Sequence, residues 1–151
     1  MKVEATTIAE LIERSADVCP DLAEVDRLVA AAAPELERRL FVGPSISMIG
    51  YGSMPWRRAS GSGVWPLLGL APQRHGVSLY VAARRDGVTL PERYAPSLGR
   101  ADSGKHCLRL RRLSRCDVDE LRRAVRDAVA WGADHDPRYG RACAAPVTDG
   151  G

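Results

Sequence analysis

Aromatic residues are scarce in this 151-residue chain, which holds one phenylalanine, three tryptophans and four tyrosines. A platform for stacking the bases of nucleic acid draws on several exposed rings, so nucleic acid is not an expected partner. No apolar run approaches the roughly 18 residues that a membrane-spanning helix needs, and no membrane association is expected. The four cysteines (Cys19, Cys107, Cys116 and Cys143) make no C-x-x-C pair and no Cys/His cluster at zinc-finger spacing, which disfavours structural zinc. Also missing are a Walker A loop, a Rossmann glycine fingerprint, a G-x-S-x-G elbow and an H-E-x-x-H helix, the signatures of common enzyme classes. The first residues lack an apolar stretch behind Lys2, and Glu4, Glu10 and Glu13 argue against a transit peptide. The expectation is a cytoplasmic protein with reduced thiols.

What is present is an ordinary globular composition, 45% hydrophobic and 27% charged, at a length that suits one domain with a real core. The formal net charge of +3 conceals an asymmetry. Residues 1–42 carry nine acids against five bases, and residues 43–131 carry seven acids against fifteen bases.

Helical signals lie at the two ends. Thr7 and Glu10 have capping-box spacing ahead of Ile8, Leu11 and Ile12. Pro20-Asp21 opens a second helix along Leu22, Val25, Val29, Ala32 and Leu36, with Pro34 expected to kink or restart it. Asp117 caps a last helix whose stripe is Val118, Leu121, Val125, Ala128 and Val129. Between them, glycines and prolines punctuate β-type runs at 46–51, 64–71 and 77–83. A short helix is expected over 90–98 and an alternating strand over 105–112. The pattern predicts an α+β fold with a small antiparallel or mixed sheet of about five strands, packed on one face by N- and C-terminal helices. Residues 1–132 form the domain in this reading, and 133–151 a flexible C-terminal tail.

Several short motifs occur in a telling order. They are Gly43-Pro44-Ser45-Ile46, Gly50-Tyr51-Gly52-Ser53, the stretch from Trp65-Pro66 to Ala71-Pro72, Val77-Ser78-Leu79-Tyr80-Val81, and Ser103-Gly104-Lys105-His106-Cys107-Leu108, followed by Leu113 and Asp117-Val118-Asp119. In this order they resemble the YdhG-like family of unknown function, grouped with YjbR-like and frataxin-like (CyaY) proteins. Because a YdhG-like relative is described as an iron chaperone, the resemblance implies iron delivery as one candidate role. Iron would then be handled by hard oxygen ligands, and the N-terminal helices supply Glu10, Glu13, Asp17, Asp21 and Glu24.

The residues themselves favour a different site. Period-two alternation along 105–112 places His106, Leu108 and Leu110 on one face and Lys105, Cys107, Arg109 and Arg111 on the other. The basic face, bordered by Tyr51, Ser78 and Tyr80, is suited to phosphate, carboxylate or an acidic protein surface. The expected ligand site is Tyr51, Tyr80, Lys105, Cys107 and Arg109, in a non-enzymatic binding or accessory domain without a cofactor, as a monomer or weak homodimer. A Cys107-dependent thiol enzyme or redox sensor is a further alternative. His106 on the opposite face and His75 in a turn do not supply a catalytic base for it.

Overall fold

A computed structural model of the chain describes residues 1–99 and 101–135. The expected tail therefore lies outside the described residues, apart from its first three, which extend the last helix. The fold is α+β.

The chain opens with α1 (Ile8–Ser15), where the Thr7 hydroxyl accepts a hydrogen bond from Glu10 N as the capping box predicts. The reciprocal half is displaced by one residue, because the Glu10 carboxylate takes Thr6 N and Oγ1 instead. Helix α2 (Leu22–Ala32) stops at Ala32 rather than reaching Leu36. Pro34 cannot donate to a continuing helix, and the chain turns into β1 (Arg38–Val42), a strand hidden behind the helical spacing of Leu36.

Nine further strands follow: β2 (Ser47–Tyr51), β3 (Met54–Arg58), β4 (Gly61–Trp65), β5 (Leu68–Gln73), β6 (Gly76–Val81), β7 (Arg84–Arg85), β8 (Val88–Thr89), β9 (Ala101–Ser103) and β10 (Cys107–Leu110). The run expected over 64–71 is two strands, broken at Pro66-Leu67, where the proline lacks the N–H that a continuous ladder needs. The main sheet is antiparallel throughout, with six strands in the order β1-β2-β5-β6-β10-β9. The pairs β3–β4 and β7–β8 are separate hairpins. Helix α3 (Leu90–Tyr94) is capped by the Thr89 hydroxyl. Helix α4 (Val118–His135) begins where Asp117 Oδ1 accepts from Asp119 N and Glu120 N.

Strand register sorts the sheet into two faces. Ile49, Leu70, Leu79 and Leu108 align across four strands, joined on the same face by Tyr51, Leu68, Val81 and Leu110. All are buried, and they form one core with Leu11, Leu22, Val25, Val29, Leu121, Val125 and Val129 of the helices. α2 lies against β5 and β6, α3 against β6 and β10, and α4 against α2 and α3. Each fully buried leucine contributes about 1.5–3 kcal/mol by leaving water, enough to fix which face turns inward.

Among the described residues, the opposite face has no covering helix layer. On its β1–β2–β5 half, Phe41 meets Trp65 edge-on with ring centroids 5.1 Å apart. Met48 fills the space beside Gly69, where a Cβ would stand 2.3 Å from Met48 Sδ. Its β6–β10 half carries polar side chains, and the candidate site is there.

Candidate functional site

Two cross-strand pairs build the site: Tyr80 opposite Cys107 and Ser78 opposite Arg109. Directly opposed residues on one face have their Cβ atoms about 5 Å apart, so the four side chains form a compact square. They line a cleft of about 520 Å³ whose far end is the tight Arg74-His75 turn between β5 and β6, together with Arg111. The Leu79, Leu108 and Leu110 side chains anchor the same strands from the other face.

Ser78 is 4% exposed and lies within the cleft wall, yet among the described residues its hydroxyl makes no hydrogen bond. The half-buried Tyr80 hydroxyl is likewise without a partner among the described residues. Burial, and then the neighbouring Cys107, push the Tyr80 phenol above its ordinary value, while the Arg109 guanidinium pulls it the other way. Near neutral pH the Tyr80 hydroxyl is therefore protonated and able to donate. Cys107 is buried, 8% exposed, and its thiol and the Arg109 guanidinium converge beside Gly104. A Cβ on Gly104 would stand 3.1 Å from Cys107 Sγ and 3.2 Å from Arg109 Nη2, tight enough to displace one of them. The cleft is thus lined by two hydroxyl donors and the Arg109 side chain, together with Arg74, His75 and Arg111.

Of the five residues expected at this site, Tyr80, Cys107 and Arg109 come together. Lys105 is exposed in the turn ahead of β10 and does not line the cleft, because the strand starts at Cys107 rather than at 105. His106, expected among the leucines, is exposed in the same turn, and its carbonyl accepts a hydrogen bond from Val81 N.

Tyr51 lies on the helix-covered face, opposite Arg38 and Leu68, and is fully buried. Its hydroxyl donates to Asp26 Oδ1, while Arg38 Nε donates to the same carboxylate at 2.8 Å and Arg38 Nη2 closes a second bond. Burial first, and then the Asp26 carboxylate, drive the Tyr51 phenol far above its ordinary range. This trio ties α2 to β1 and β2 and is a structural lock of the core. A looser counterpart joins Arg85 and Tyr94 to Asp127 and fastens the β7–β8 hairpin and α3 onto α4.

The five carboxylates considered for iron do not converge. Glu10 is engaged by Thr6 and Arg14, Glu24 by Arg27, and Asp21 Oδ2 accepts from Leu113 N at 2.9 Å. Glu13 and Asp17 are exposed. Among the described residues, no three or more His, Cys, Asp or Glu side chains are grouped so as to hold a metal ion.

Sequence reasoning put His75 in a turn but did not assign it or Arg74 to the ligand site. Their signal was the spacing itself: a two-residue turn between the Gln73 and Gly76 pair must project over the end of the neighbouring strand.

No helix of the described residues is long and apolar enough to cross a membrane. Comparison with models of protein families, with curated proteins and with solved structures finds no match to this chain, so its relationships rest on no demonstrated relative.

Proposed function

We propose that this protein is a binding domain whose open sheet face holds a small anionic ligand. The observation that carries the reading is the pair of unpartnered hydroxyls, Ser78 and Tyr80, in a cleft that also contains the Arg109 guanidinium. Both hydroxyls open into the cleft rather than being sealed in the interior, so an anion seated beside the guanidinium accepts from both in place of water. The chemistry of the wall suits holding more than transforming: two neutral donors and a fixed cation recognise charge, and Cys107 is packed rather than presented to solvent.

Isothermal titration calorimetry with hexanoate and with inorganic phosphate tests the reading. Binding of at least one probe is expected, with the double variant Ser78→Ala/Tyr80→Phe weakening it about 10–100-fold, the worth of hydrogen bonds to a charged group. Unchanged affinity in the double variant, or no binding of either probe, would contradict the proposal.

A further inference from the structure

A second cleft, also of about 520 Å³, lies beyond the β5–β6 turn and is lined by Val18, Cys19, Asp21, Arg112 and Ser114 among others. It shares His75, Gly76 and Arg111 with the sheet-face cleft. What separates the two is therefore the turn itself, where Gly76 packs against the end of β10. Gly76 has φ of +139°, and a Cβ there would stand 2.2 Å from the Leu110 carbonyl oxygen and 2.8 Å from Arg111 Cα. Only a residue without a side chain permits this close approach, which fixes the turn directly against the end of β10 and sets the two clefts side by side.

Each side of the divide carries a cation with no hydrogen bond or ion pair among the described residues: Arg74 beside the sheet-face cleft and Arg112 in the second. His75 and Arg111 face both. Asp21 is the acidic member of the second cleft, and its Oδ2 is engaged by the Leu113 amide. Cys19, at 2% exposure, has its thiol pushed above the ordinary value by burial and contributes a neutral wall. Arg109 and Arg112 are three residues apart along one chain, so their Cα atoms lie no more than about 11 Å apart.

Resting on the anion-binding reading above, we infer that the two clefts are one bipartite site for an elongated small molecule with an anionic group at each end. One end is held by Ser78, Tyr80 and Arg109, the spacer crosses over Gly76, and the other end is held by Arg112 and Ser114. Linking two anions converts capture of the second into an intramolecular event, so a dianion of matching length gains affinity that a monoanion cannot.

The probes are linear α,ω-dicarboxylates from succinate to sebacate, with hexanoate as the monoanion, titrated calorimetrically into the full chain and into Arg112→Gln. A bipartite site predicts an optimum in chain length, at which the dicarboxylate binds about tenfold or more tighter than hexanoate. Arg112→Gln, an exposed change that leaves thermal unfolding unaltered, should remove that advantage and leave hexanoate binding as it was. If hexanoate binds but no dicarboxylate length exceeds it, or if Arg112→Gln leaves the optimum intact, the bipartite site is wrong while the sheet-face site stands. Failure of every probe to bind, inorganic phosphate included, overturns both.

Discussion

The two faces of the six-stranded sheet are made by the same strands and solve opposite problems. On one face, Leu70, Leu79 and Leu108 align beneath the helices, and Asp26, the buried charged residue among those described, is matched at once by Arg38 and Tyr51. On the other, Ser78, Tyr80, Cys107 and Arg109 stand on the same strands, and two hydroxyls are left without partners among the described residues. The contrast shows where each kind of polar group belongs. The Asp26 trio is satisfied from within, although Ser47 Oγ on the same face is buried without a partner among the described residues, whereas the Ser78 and Tyr80 hydroxyls open into a cleft on strands held rigid from behind.

Neighbouring residues of β6 give the sharpest way to break this comparison. Leu79→Ala should cost about 2–5 kcal/mol, because the cavity it leaves lies among fully buried leucines. Denaturant unfolding checks it, and a loss below about 1 kcal/mol would mean that the face is not the core.

Asp26→Ala comes next, at about 2–3 kcal/mol. Removing the carboxylate strands the buried Tyr51 hydroxyl and Arg38, and the figure falls short of the roughly 3–5 kcal/mol of a wholly buried pair because the Arg38 side chain is 38% exposed. The same unfolding experiment reads it, and Tyr51→Phe alone should cost less, since it leaves the bidentate pair whole.

Tyr80→Phe, one residue from Leu79 and on the other face, should change stability by no more than about 0.5 kcal/mol. Thermal unfolding that showed a loss comparable to Leu79→Ala would place Tyr80 in the structural class and remove it from the ligand site.

Much of this division was legible in the sequence. Period-two alternation separated Leu108 and Leu110 from Cys107 and Arg109 correctly, because β10 has one covered and one open face and its composition follows. The same reasoning misplaced Tyr51. In β2 all five residues are buried on both faces, so its composition does not alternate, and which side Tyr51 takes is set by register with β1 and β5. Lys105 was read as a strand residue because a charged side chain fits an alternating pattern equally well in a turn. The shared boundary at His75 and Gly76 was not visible either, since the meeting of two clefts depends on how closely the β5–β6 turn approaches the end of β10.

The most direct test of the central claim is a ¹H–¹⁵N correlation spectrum of the full chain recorded through a titration with hexanoate. The account predicts saturable shifts concentrated at Ser78, Tyr80, Cys107 and Arg109 and in the Arg74-His75 turn. Shifts centred instead on the exposed arginines of α4, Arg122, Arg123 and Arg126, or spread evenly over the basic surface, would contradict it.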